Sequence, residues 1–136
     1  MKHTITLVLL IVLGQSALAQ KNYKRVHNTM LDEAKALLSS EDYESAAKIY
    51  KRLIPLDSSF SEVFHEMGLC LVGIPGRKSE AAPYFEQAVL NGHTEAHYEL
   101  ALARHREGRF DESIELFRRY KQLSQREQKD QEVDRR

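Results

Sequence analysis

The chain has 136 residues, with 20 basic and 20 acidic side chains that cancel to a formal net charge of zero. That balance excludes the positive electrostatic footprint of a nucleic-acid binder. One cysteine, Cys70, excludes an intrachain disulfide, so stability must come from packing, and the length suffices for one domain with its own core.

The first 19 residues read as a cleavable secretory signal peptide. Lys2 and His3 form a short basic start, Ile5–Leu13 is an apolar run, and Ala17-Leu18-Ala19 is the small-x-small pattern of a cleavage site. The apolar run is shorter than the ~20 residues that span a bilayer. The mature chain would begin at Gln20 with 117 residues and a net charge of −1. Without a cysteine after the run, a lipoprotein anchor is not expected.

From there the pattern is helical throughout. Tyr23, Val26, Met30, Ala34 and Leu37 recur at steps of three and four, the stripe of an amphipathic helix. After the polar break Ser39–Asp42, a second stripe follows: Tyr43, Ala46, Ala47, Tyr50 and Leu53. Pro55 and Asp57-Ser58-Ser59 end it. Ser59-x-x-Glu62 has the form of a capping box opening a third helix, with Phe64, Met67, Gly68 and Leu71 as its apolar face. Cys70 lies within that helix and reads as a buried small hydrophobe rather than a nucleophile. Gly73-Ile74-Pro75-Gly76 is a turn. Ala81, Ala82, Phe85, Ala88 and Val89 form the fourth stripe, and Gly92 suits a left-handed cap. Ala96, Leu100 and Ala101 mark a fifth helix, with Gly108 at the turn. Phe110, Ser113, Ile114, Phe117 and Tyr120 mark a sixth, spaced like Tyr43–Leu53 position for position. Ser124-x-x-Glu127 reads as another capping box, predicting a separate polar helix over 125–136 that caps the array.

Within this order a triplet recurs: Ala46/Tyr50/Leu53, Ala81/Phe85/Ala88 and Ser113/Phe117/Tyr120, whose first members are 35 and then 32 positions apart. Helical spacing inside each copy and a period near 34 between copies indicate stacked helical hairpins. Small residues at equivalent places, Ala34, Gly68 and Ala101 in the first helices and Ala46, Ala81 and Ser113 in the second, let each pair approach closely. Such arrays bury a core between neighbours, offer a groove and rarely carry reacting groups.

These residues resemble the tetratricopeptide repeat family, whose signature is W-x2-L-G-x2-Y, then A-x3-F, then P. The likeness covers about His27–Leu123 and is strongest over Ala96–Phe117, in Leu100-Ala101, Gly108-Arg109-Phe110 and Ser113…Phe117. Met30, Phe64 and His97 stand where the family has tryptophan, Arg104 replaces a usual tyrosine, and the closing proline is missing. Ala88–Ala101 is also similar to a Sel1-type repeat. The resemblance implies an all-α, right-handed helical-hairpin solenoid of about three repeats (27–60, 61–93 and 94–124 within a repeat region 20–124), with a polar C-terminal helix. Export followed by such repeats also resembles the front of Gram-negative envelope proteins that carry an OmpA-like domain, which implies a periplasmic or outer-membrane location.

In the family the first helices line a concave groove. Carried onto this register, the groove would present Asn28, Leu31, Asp32 and Lys35; then Glu62, His65, Glu66 and Leu69; then Glu95, Tyr98, Glu99, Leu102, His105 and Arg106. Its acidic centre implies a basic or mixed-charge peptide or helix as partner. One family subset clamps a partner's terminal carboxylate with lysine, asparagine and arginine. Here only Lys35 fits, and Glu66, Glu95 and Glu99 would repel that group. The alternative for the same residues is a solvated helix surface, on a module that only spaces or oligomerises other domains. A leucine strip (Leu31, Leu38, Leu69, Leu102) would suit self-association.

Metal chemistry is weakly signalled. Glu62-x-x-His65 occurs once, whereas carboxylate-bridged di-iron sites need two such motifs and further carboxylates. His93 and His97 are four apart but lack an assured third ligand, so no metal or cofactor is expected, and a metal-binding or enzymatic role centred on Glu62, His65, His93 and His97 stays as the lesser alternative. Gly73–Lys78 lacks the spacing of a phosphate loop. No acid–base pair or nucleophile elbow is found, and a non-catalytic binding module is the expectation.

Overall fold

The computed structural model describes residues 2–135 in backbone and 19–135 in side chain. The expected signal peptide, 1–19, therefore lies almost wholly outside the described side chains. Six α-helices follow one another: α1 Lys2–Ser39, α2 Tyr43–Leu53, α3 Ser61–Gly73, α4 Ala82–Leu90, α5 Thr94–Arg106 and α6 Phe110–Asp134. A single 3-10 turn, Lys78–Glu80, precedes α4, and no strand occurs among the described residues.

Each helix packs on the next along the chain, α1 on α2 through to α5 on α6. The first helices of successive hairpins also meet: Lys35 of α1 pairs with Glu62 of α3 at 2.8 Å, and His65 of α3 stacks on His93 at the start of α5, ring centres 4.4 Å apart. The result is an all-helical solenoid of three hairpins with a continuous core from α1 to α5.

The small positions do the work expected of them. Ala34, Ala46, Ala81 and Ala101 are fully buried, as are Tyr50 and Phe85. At Gly68 the approach is closest: a Cβ there would lie 2.4 Å from the Phe85 ring. In the third hairpin Ser113 adds a bond to the contact, its hydroxyl donating to the Ala101 carbonyl at 2.9 Å.

Three of the turns, after α1, α4 and α5, share one device. After α4 the His93 N–H reaches the Ala88 carbonyl and the Gly92 N–H that of Val89; after α5 Arg109 and Gly108 bond Arg104 and His105 in the same way. These are Schellman caps, whose left-handed residue is best a glycine, and Gly92 and Gly108 have φ of 85° and 76°. After α1 the same bonds run from Asp42 and Glu41 to Leu37 and Leu38, but the left-handed place is held by Glu41, φ 63°.

Three expectations need correction. The Ser59–Glu62 capping box does not form: Asp57 captures the Ser59 N–H and hydroxyl in a local turn, Glu62 goes to Lys35, and α3 starts at Ser61. The separate helix from 125 does not exist either, because α6 runs unbroken to Asp134. The Ser124 hydroxyl bonds back to the Tyr120 carbonyl, a mid-helix arrangement, and Glu127 instead accepts from Thr94 of α5 at 2.5 Å. Finally, α2 and α6 share spacing but not burial. Ala47 is 5% exposed and its counterpart Ile114 is 49%. α2 is held between α1 and α3, whereas α6 packs chiefly on α5.

Two stability predictions follow from this packing. Gly68→Ala gains about 1 kcal/mol of helix propensity but overpacks against Phe85, a cost of about 1–3 kcal/mol. Chemical denaturation should show a net loss, recovered by adding Phe85→Leu. Glu41→Gly should raise unfolding free energy by about 0.5–1 kcal/mol, because the left-handed strain removed exceeds the added chain entropy of glycine. A lower denaturation midpoint would show that the Glu41 side chain contributes contacts worth more than the strain.

Candidate partner-binding face

The residues expected to line a groove lie on α1, α3 and α5 at equivalent heights. Because Ala34, Gly68 and Ala101 occupy one register, Asp32, Glu66 and Glu99 occupy another, as do Leu31, His65 and Tyr98. Helical geometry turns the residue two places before each small residue away from the hairpin contact and leaves the residue three places before at its edge. Asn28, Asp32, Glu95, Tyr98, His105 and Arg106 are exposed, and Lys35, Glu62, His65, Glu66, Leu69, Glu99 and Leu102 are half-buried. Leu31 is the exception. It is buried in the core with Ala34 and Ala46, so it cannot be a groove contact and the leucine strip is interrupted.

At the α1–α3 end, the Glu62 carboxylate beside it holds the Lys35 ammonium above the usual lysine range. Next to this pair is Glu66, whose pKa is raised chiefly by burial. Beneath Glu66 lies the fully buried Tyr50 of α2, its phenol pushed upward by burial and then by that carboxylate. Tyr50 Oη and Glu66 Oε2 are both closed to solvent and face each other. The Cys70 thiol, pushed up to about 12 by burial and then by Glu66, is a packing residue and not a nucleophile.

In the middle, His65 packs on Phe85 and His93, with its Nε2 unpartnered. Burial and then the His93 ring bring its pKa down to about 4. His93 also approaches Glu95 at 3.5 Å. At the far end Tyr98, 42% exposed, rests on Phe117 and Tyr120 with ring centres 5.5 Å away in each case. Glu99 is raised by burial, with Arg106 and Lys78 pulling it partly back. His105 stacks edge-on against Phe110.

The structure separates the histidines that spacing had paired. His97 is buried, with Nδ1 3.2 Å from the His93 and Thr94 carbonyls, so this nitrogen must carry the proton. His93 turns instead to His65. Among the described residues no group of three or more His, Cys, Asp or Glu is placed to hold a metal ion. Sequence reasoning also missed Arg104. It is buried at the place of the family tyrosine and pairs with Glu86 of α4, Glu107 at 2.9 Å and Glu112 of α6 at 3.5 Å, tying three helices together. The departure from the family signature was the available signal.

The fold is that of a tetratricopeptide-type helical solenoid. Residues 76–127 match the family model described as Tetratricopeptide repeat, a little over a third of the chain. Among solved structures, "Second TPR of Spaghetti (RPAP3) bound to HSP90 peptide SRMEEVD" is similar at TM-score 0.68 and 23% identity, covering 77% of this chain and 97% of that one. "MamA RS-1 ArsTM double mutant" is similar at TM-score 0.66 and 15% identity over 74% of this chain, and "Crystal structure of MamA" at 0.61 and 18% over 71%. This chain spans 57% of the length of either MamA structure. No curated protein matches the sequence.

His65 gives the face a pH signature. Its folded pKa lies below the ordinary 6.5, so between pH 6.5 and about 4 the unfolded chain binds the extra proton and the folded chain does not. Its contribution to stability is therefore present above pH 6.5 and is lost as pH falls through that window. The raised carboxylates Glu66 and Glu99 act in the opposite sense. Denaturation midpoints measured across this range should flatten on His65→Gln; an unchanged slope would place the titration elsewhere.

Proposed function

We propose that this chain is a non-catalytic scaffold that binds a peptide or helix of basic or mixed charge along the face of α1, α3 and α5, the concave groove of a tetratricopeptide solenoid. The observation that carries this reading is the make-up of the face: five carboxylates (Asp32, Glu62, Glu66, Glu95, Glu99) against two cations (Lys35, Arg106), with the Tyr98 ring held open on an aromatic base. A well-supported aromatic and a nearby arginine are the residue types that dominate binding energy. The peptide in the RPAP3 structure, SRMEEVD, is rich in acidic residues. A face of this charge disfavours such a ligand and favours its electrostatic opposite.

The same proposal places the protein in the cell envelope. Support comes from the basic start, the apolar run Ile5–Leu13 and the Ala17-Leu18-Ala19 cleavage pattern. No helix among the described residues is long and apolar enough to cross a membrane.

A second reading, a module that spaces or joins other domains end to end, draws on α6, where Phe110, Ile114 and Val133 are exposed. Pull-downs from envelope extract separate the two. The account predicts a partner retained by the wild type, lost by a folded Tyr98→Ala/Arg106→Glu variant and kept by Ile114→Glu. The reverse pattern would give the lead to the spacer reading, and circular dichroism checks that each variant is helical.

A further inference from the structure

Among the described residues, α6 is the one second helix that no later hairpin covers. α2 is closed by α3 and α4 by α5. There the residue after the small position is alanine, Ala47 and Ala82, both buried. In α6 the same place holds Ile114, half exposed, and one turn before it stands Phe110, more than half exposed. Tyr50 and Phe85 are fully buried, whereas their counterpart Phe117 is only half-buried. Single exposed apolar residues are ordinary. Here, however, the larger apolar side chains stand where the repeat's own cover is missing, and they share one side of the helix. Phe110, Ile114, Phe117 and Lys121 recur at steps of four, three and four, the seam of a two-helix contact. In the earlier repeats the cover is the helix that follows at once. α6 does not turn back to admit one: it continues to Asp134, about 30 Å past Ile114 at the ordinary helical rise.

We propose that this seam joins two copies of the chain in an antiparallel, twofold-symmetric dimer. With Ile114 of one copy set against Phe117 of the other, the seam closes on itself. Phe110 then lies over the hydrocarbon stem of the second copy's Lys121, and each pair occurs twice. Charge agrees with that direction. Asp111 and Arg118 flank the seam seven residues apart, and the same crossing brings Asp111 of each copy to Arg118 of the other. A parallel crossing would set like charge on like charge at both places. Among the described residues Asp111 makes no ion pair, and Arg118 makes only an exposed one with Glu115. Four seam residues a side make a contact smaller than a stable interface, so the dimer is weak and concentration-dependent. Tyr98 borders the seam through Phe117, but Ile114 belongs to it alone, so the dimer stands or falls separately from the groove reading.

Sedimentation equilibrium of the full chain is expected to show a reversible dimer that dissociates on dilution. Ile114→Glu should be monomeric with unchanged circular dichroism, because the side chain lies outside the core. Asp111→Arg and Arg118→Asp should each raise the dissociation constant about tenfold or more through like-charge contacts. Mixing these two variants should restore the affinity, since each copy then meets its opposite charge at both places across the contact. That rescue depends on the antiparallel pairing, and altered helix stability in either variant would not produce it. A wild type that is monomeric at every concentration would overturn the proposal, as would an Ile114→Glu variant that still dimerises or a mixture no tighter than its components. Growth beyond two copies that Ile114→Glu abolishes would also overturn it, since a twofold contact closes at two.

Discussion

The solenoid depends on a close approach repeated at each hairpin, a small residue on one helix accepting an aromatic or its neighbour from the next. Gly68 against Phe85 is the tightest instance, with no room for a methyl group. Ala34, Ala46, Ala81 and Ala101 hold the equivalent places at complete burial. Interiors are packed near crystal density, so such contacts fix interhelical distance within narrow limits. That distance sets which first-helix side chains lie side by side. The pairing of Lys35 with Glu62 and the stacking of His65 on His93 are consequences of it.

Where hydrophobic packing is thin, charge substitutes for it. Arg104 is buried with three carboxylates around it, drawn from α4, the α5 terminus and α6. Arginine suits this role because its planar head can serve several acceptors while its stem packs as a hydrocarbon. The first-helix face behaves differently. Glu62, Glu66 and Glu99 are half-buried, His65 is held neutral, and the Tyr50 hydroxyl lies buried against Glu66. Structures tolerate such features where binding makes use of them, and their concentration on one face distinguishes it from the second-helix side.

Much of the fold was legible because it rests on local regularities. The small–aromatic triplet, the three- and four-residue stripes and the glycine stops placed all six helices, and Gly92 took the left-handed position its context implied. The capping boxes were not legible. Asp57 outcompeted the cap at Ser59, and Glu127 found Thr94 across the hairpin, because a four-residue motif cannot see tertiary partners. Spacing also overestimated the burial of Ile114 and Phe110, since pattern encodes a face but not whether another helix covers it. At the candidate site, spacing assigned residues to α1, α3 and α5 but not their partners. Leu31 went to the core, and His93 turned to His65 instead of His97. Tyr50 was read only as the repeat's aromatic, because the carboxylate its hydroxyl meets, Glu66, comes from another helix.

The most direct test of the central claim is to ask which side of the solenoid a partner touches. A photoreactive amino acid placed at Leu102 reports on the face of α1, α3 and α5, and one at Lys48 reports on α2, at the mouth of the cleft lined by Met67 and Tyr84. The account predicts that a partner captured by the wild type is crosslinked from Leu102 and not from Lys48. Crosslinking from Lys48 alone would contradict it, and would move the binding surface to the second helices.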